Sequence, residues 1–218
     1  MTSETGDAND TGLRTRAEKG DAAALAEFFS VHRPRLWRMV DFWLDPRLRT
    51  RLDPDDILQE SYLNAAQRLP HLAANRAMSF LVWIRAVVRQ TFLDAYRRHF
   101  GARQRDARRD IPLGGGGAPL ATSTTLALQL MGSLTSPSQA AMRAELHGRL
   151  QEAIERMDAL DREVLALRHF EELTNAETAE VLGIQPKAAS MRYIRALGRL
   201  KEILAELPGF ASGASSGA

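Results

Sequence analysis

Two stretches of this 218-residue chain carry side chains in patterns suited to gripping a polyanion. From Lys187 to Lys201 there are five bases and no acid. They follow a short helical stretch, Asn175 to Leu182, that ends at Gly183, which can take the left-handed turn conformation at low cost. A short helix, a glycine turn and a basic helix make the helix-turn-helix pattern, whose second helix lies in the DNA major groove. Gln185, Lys187, Ala188, Ser190 and Arg192 fall near the start of that second helix, where side chains reach base edges. Arg195, Arg199 and Lys201 fall further along, placed for phosphates. Ala179, Val181, Leu182, Ile184, Ala189, Tyr193, Ile194 and Leu197 are expected to form the small core between the two helices. The alternative is a helical hairpin with a solvated basic face.

The second basic stretch runs from Arg76 to Arg109, with nine arginines against Asp94 and Asp106. Within it Phe80, Trp83, Phe92 and Tyr96 interleave with Arg85, Arg89, Arg97 and Arg98. Arginines that track phosphates beside rings or pockets that receive unstacked bases suit single-stranded nucleic acid. Phe80, Trp83 and Phe92 read as core; Arg89, Gln90, Arg97 and Arg98 read as DNA-facing. A third passage has the opposite sign. Asp53 to Glu60 holds four acids and no base. Asp53 at the N-cap, Pro54 at the first position and the dipole account for part of it. Gln59 and Glu60 extend the polar surface one turn on, which suits a basic protein partner. A well-capped surface helix reads the same way.

Other chemistries are excluded. The chain has no cysteine, so disulfides, thiolate zinc sites and a cysteine nucleophile are out. His32, His71, His99, His147 and His169 are scattered without metal-ligand spacing, and His32 and His169 read as belonging to helix faces near the core. Gly114–Gly117 is not followed by Lys-Ser/Thr, so it is no phosphate-binding loop. No run of about 18 apolar residues spans a membrane, and the N-terminus lacks a secretory signal. No cofactor and no metal is expected, and the reading is of a non-enzyme in the cytoplasm. The net charge is only +2 because the basic blocks alternate with acidic ones, the second acidic block running from Asp158 to Glu180.

The elements that must position these side chains are helices. Asp21 opens a first helix with Leu25, Phe28, Leu36, Met39 and Trp43 at three-to-four spacing, with a kink or restart expected at Pro34. A second helix begins at Asp53-Pro54 and ends near Leu69-Pro70. After a loop, His71 to Ala77, a third runs from about Met78 to Phe100. Ile111 to Met142 carries no charge and reads as a linker. An apolar patch in it, Leu126 to Leu134, reads as a helical turn or as a docking segment. Then come Arg143 to Met157, a helix capped by Asp161 through about Phe170, Asn175 to Leu182, and a last helix from Pro186 to Leu204. No segment alternates as a strand. The expected fold is all-α: two small helical domains, an N-terminal bundle over 21–110 and a helix-turn-helix domain over 142–206. A flexible linker, 111–141, joins them, and disordered tails, 1–20 and 207–218, flank them.

In this order and spacing the three passages resemble the sigma-70 family of bacterial RNA polymerase sigma factors, of the small extracytoplasmic-function type. That type keeps the family's second and fourth conserved regions, joined by a linker. The resemblance covers roughly 24–109 and 143–204. Asp55, Asp56, Gln59 and Glu60 match the second-region motif that docks on the clamp of the polymerase beta-prime subunit. Phe80, Trp83, Ile84, Arg85, Arg89, Gln90, Asp94, Arg97 and Arg98 resemble the helix that contacts the promoter −10 element. Gln185, Lys187, Ala188, Ser190, Arg192, Arg195 and Arg199 fall in the fourth-region helix-turn-helix that reads the −35 element. The chain departs from the family at Gln90, where asparagine is common, at Pro186, and at Ser190 and Met191, where lysine and serine are frequent. Its linker is neutral where many are acidic. The resemblance implies a monomer that joins core polymerase through the beta-prime clamp and the beta flap and then binds promoter DNA. It traps an unpaired −10 base in a pocket built partly by His71 to Ser79, and has no catalysis of its own. An anti-sigma protein is a further partner of the kind such factors have. The rival reading is a repressor with an effector-sensing first domain, which would be a homodimer that binds duplex DNA unaided.

Overall fold

A computed structural model describes residues 3–44, 49, 51–70, 78–100, 123–132 and 140–206. The chain divides into two units, Met1–Asp106 and Ala107–Ala218. Every regular element among the described residues is helical. The loop 71–77, the arginines at 103–109, the linker parts 111–122 and 133–139, and the C-terminal tail from 207 lie outside the described residues.

The first unit holds α1 (Ser3–Glu18), α2 (Ala22–Trp43), α3 (Pro54–Arg68) and α4 (Phe80–Phe100). Asp21 caps α2, its carboxylate accepting from the Ala23 and Ala24 amides. Asp53 caps α3 through the Asp55 amide, with Pro54 at the first position. α3 packs on α2 and α4, and α1 on α2 and α4. Leu25, Phe28 and Leu36 of α2, Ile57 of α3 and Phe80, Ile84 and Val88 of α4 are buried together. Phe28 meets Phe80 at 4.5 Å between ring centroids, and Trp43 meets Phe92 at 5.7 Å.

Two expectations are corrected here. The N-terminal segment is not a disordered tail over 3–18 but helix α1, which buries Leu13 and Ala17 one turn apart. Arg14 pairs with Glu18 at 2.8 Å and donates to the Met78 carbonyl, and Asp10 meets His32 at 2.8 Å. Leu13 and Ala17 alone give almost no periodic signal; the docked surface of α2 and α4 makes this segment a helix. Nor does the helix restart at Pro34: α2 runs without interruption from Ala22 to Trp43. Pro34 lies on the exposed side, where water can satisfy the carbonyl its ring deprives of a donor, while Phe28 and Leu36 anchor the helix on either side of it.

The second unit holds α5 (Ser123–Gly132), α6 (Ala140–Glu155), α7 (Ala159–Leu165), α8 (Asn175–Leu182) and α9 (Pro186–Glu206). The apolar patch expected inside the linker is α5, which packs on α6 with Leu126, Ala127 and Met131 buried. The cap of α7 is Asp158 rather than Asp161: its carboxylate accepts from the Leu160 and Asp161 amides at 2.9 and 3.3 Å. A π turn, Ala166–Phe170, continues α7. In it the Glu171 amide reaches back five residues to the Ala166 carbonyl at 2.9 Å. α9 lies against α6, α7 and α8.

Candidate nucleic-acid interface

The helix-turn-helix is built by local chemistry at each joint. Thr174 and Glu177 form a reciprocal capping box at the start of α8. Gly183 closes α8 at φ +64°, and Ile184 donates to the Ala179 carbonyl at 2.9 Å. The Asn175 amide reaches the Pro186 carbonyl at 2.8 Å, tying the first residue of α8 to the first of α9. Ala189, Ala196 and Ile203, seven residues apart, are the buried stripe of α9. Two small residues in that stripe let the helices approach closely.

Six of the seven expected −35 residues are exposed: Gln185, Lys187, Ala188, Ser190, Arg195 and Arg199. Arg199 is partnered by Glu202 at 2.9 Å. The seventh, Arg192, is a correction. It turns toward α7, bonding Asp161 at 3.0 Å and approaching Asp158 at 3.6 Å. It positions α9 against the capped end of α7, and its guanidinium is spoken for. A second correction concerns the small core. Ala179 and Ala189 are buried, and Val181, Leu182, Ile184 and Tyr193 are half-buried. Ile194 and Leu197 are exposed: the close contact runs along the alanine stripe and leaves Ile194 on the other side, while Leu197 borders an apolar pocket with Leu126, Ile154 and Leu165. Arg168 sits 5.2 Å from the Tyr193 ring centroid and donates to the Leu173 carbonyl at 2.9 Å, bracing α9 from the π turn.

In the first unit, α4 presents Gln90, Asp94 and Arg97 along one stripe. Asp94 accepts from Gln90 at 3.0 Å and from Arg97 at 3.0 Å. Arg89 is half-buried. Phe80 and Phe92 are core, as expected; Trp83 is half-buried and stacks on Phe80 at 5.8 Å. Arg85 is not DNA-facing but buried, its guanidinium 5.6 Å from the Trp43 ring centroid. Leu81 and Val88, four before and three after it, are both buried. That spacing was the available signal that position 85 faces inward.

The acidic helix α3 adjoins this face. Asp56 and Gln59 are exposed. Asp55 bonds Arg33 at 2.6 Å. Glu60 bonds Arg98 of α4 at 2.6 Å, which raises the Arg98 guanidinium further above its usual range. Among the described residues no group of three or more His, Asp or Glu could hold a metal ion, and no helix is long and apolar enough to cross a membrane.

Comparison with known proteins bears on both units. Residues 28–100 match the family described as Sigma-70 region 2, and residues 147–208 match Sigma-70, region 4. The chain is 32% identical over 167 residues to the probable RNA polymerase sigma factor RfaY of Xanthomonas campestris pv. campestris. That match covers 75% of this chain and 37% of the relative, so the chain spans little more than a third of that protein's length. It is 29% identical to the ECF RNA polymerase sigma factor SigD of Mycobacterium tuberculosis, over 85% of this chain and 79% of that one. To the ECF RNA polymerase sigma factor SigW of Bacillus subtilis it is 22% identical, over 88% and 95%. The fold resembles that of CnrH, solved in complex with the cytosolic domain of CnrY, with a TM-score of 0.51 and 20% identity over 90% of this chain and 97% of that one. With regions two and four matched in order and together covering more than half of its length, the chain belongs to the sigma-70 family, as a sigma factor of the extracytoplasmic-function type.

Proposed function

We propose that this chain acts as an alternative sigma factor whose α3 docks on core RNA polymerase and whose α4 and α9 hold the −10 and −35 elements. The observation that carries this reading is the segregation of charge on the exposed helix faces. Asp55, Asp56 and Gln59 of α3 present an acidic surface that complements a basic clamp on the beta-prime subunit. Lys187, Arg195 and Arg199 of α9 present a basic surface for duplex DNA.

The steps follow from where each group sits. The polymerase supplies the catalysis; this chain supplies position. α9 enters the major groove, held in register by Arg192 on α7. Gln90, Arg97 and Arg98 of α4 then meet the unpaired −10 strand. Binding energy that is released only on separated strands shifts the promoter toward the melted state. The factor is a monomer when free and works in the bacterial cytoplasm, where its polymerase is. An anti-sigma protein that covers α3 would hold it inactive.

The test adds the purified full chain to sigma-free bacterial core polymerase, with fragmented DNA of the source genome as template. The comparison arm is Asp56→Arg with Glu60→Arg. New start sites that vanish in the variant support the reading. No initiation, with tight duplex binding by the free chain as a dimer, overturns it and makes the chain a repressor.

A further inference from the structure

Met191 and Ile194 of α9 are large, apolar and 54% and 60% exposed. Met191 lies four residues after Lys187, and Ile194 four after Ser190, so the four side chains share one helix face. Ala189, Ala196 and Ile203 are buried on the other side. The apolar pair therefore occupies the middle of the exposed face, with Lys187 before it and Arg195 after it.

Scattered exposed apolar residues are ordinary on a protein surface. These two are set among bases: Lys187, Arg195, Arg199 and Lys201 are exposed on α9, with Arg199 shared with Glu202 and Arg192 turned away to Asp161. Those bases select a polyanion over an apolar protein surface. They also lie in the first turns of the second helix of a helix-turn-helix, the part that reaches base edges. The apolar group that a base pair offers in the major groove is the C5 methyl of thymine.

We infer that Met191 and Ile194 read thymine methyl groups in the −35 element by packing against them. This rests on the reading of α9 as the −35 helix. Base choice at those positions is then a choice for a 5-methyl pyrimidine, while Gln185, Lys187 and Ser190 supply hydrogen bonds at the others. The departure from the family at Met191 becomes a specificity residue, and Ile194 joins it because the structure turns it outward.

The experiment uses holoenzyme assembled from the full chain and core polymerase. Promoters are first selected from DNA randomised across the −35 region. Each thymine of the selected element is then replaced singly by deoxyuridine, which removes only the methyl group. At one or two positions this is expected to weaken wild-type holoenzyme binding about fourfold, the factor that burying one methyl-sized group is worth. Met191→Ala and Ile194→Ala are each expected to bind thymine and deoxyuridine equally at the position that residue reads, with core polymerase affinity and thermal stability unchanged. The inference is overturned if the selected element holds no thymine, if deoxyuridine binds like thymine everywhere, or if the alanine variants keep the wild-type ratio. It is also overturned if they lose affinity for core polymerase instead. Should the holoenzyme initiate from no member of the library, the sigma reading itself falls; promoters that are selected but indifferent to the methyl group sink the inference alone.

Discussion

Arg98 of α4 bonds Glu60 of α3 at 2.6 Å, so a residue assigned to promoter DNA is held by one assigned to polymerase. Both side chains are well exposed, and the pair adds little to stability. On the proposed assignments the two compete: a polymerase surface that takes Glu60 would release Arg98 toward the −10 strand, and linkage would make the effect reciprocal.

Arg98→Ala is therefore expected to leave core docking within about twofold and to lower open-complex formation roughly tenfold. Swapping the two charges, Glu60→Arg with Arg98→Glu, keeps the pair and damages both tasks. Fluorescence anisotropy with labelled core reads the docking, and permanganate reactivity of unpaired thymines reads the melting.

Arg85→Ala is expected to act on folding, not on DNA. It removes a buried side chain from the Trp43 ring, which should destabilise the first unit by about 2 kcal/mol. Chemical denaturation measures this. Promoter melting per folded molecule should be unchanged, the opposite of what an exposed DNA contact would give.

The junction between α1 and α2 is expected to be acid-sensitive. The hydrogen bond from Arg16 holds the Asp21 carboxyl below its ordinary value, and the Ala24 and Ala23 amides add to this. A carboxylate with a lowered folded pKa contributes stability that is present above its unfolded value, about 3.9, and is lost as pH falls through the folded one. Helicity of the wild type should therefore fall more below pH 4 than that of Asp21→Asn, which lacks the titrating group. Circular dichroism against pH checks it.

Gly183→Ala is expected to destabilise the second unit by about 1 kcal/mol. Nothing lies within 4 Å of an added Cβ, so the cost is the backbone at φ +64° alone. Asn, which tolerates this conformation better, should cost less. Thermal melting separates the two variants.

Much of this fold was legible because its helix ends are chemical. Asp21, Asp53 and Gly183 cap the elements at which they were expected. What was hidden depends on partners distant in sequence. Among the described side chains of α1, Leu13 and Ala17 are the buried ones, and the surface of α2 and α4 makes it a helix. Asp158 and Asp161 are equivalent as local signals, and the amides choose Asp158. α9 carries apolar residues on two sides. Which side is buried depends on how α7 and α8 approach the alanine stripe, so Ile194 and Leu197 were placed in the core and lie outside it. In the candidate site, the acidic face of α3 and most of α9 follow from residue type. The inward turn of Arg192 and Arg85 follows from Asp161 and Trp43, which lie far from them in the chain.

The π turn at Ala166–Phe170 bears on how this domain tolerates changes of length. It carries one more residue in its turn than an α-helix would. Deleting a single residue there lets the turn relax to α-helical pairing, with the chain beyond it keeping its course. The same deletion early in α9 would rotate every later side chain by about 100° and carry Ile194 and Arg195 off the face proposed for DNA. The domain thus has a place to lose or regain one residue without changing its reading frame on the promoter.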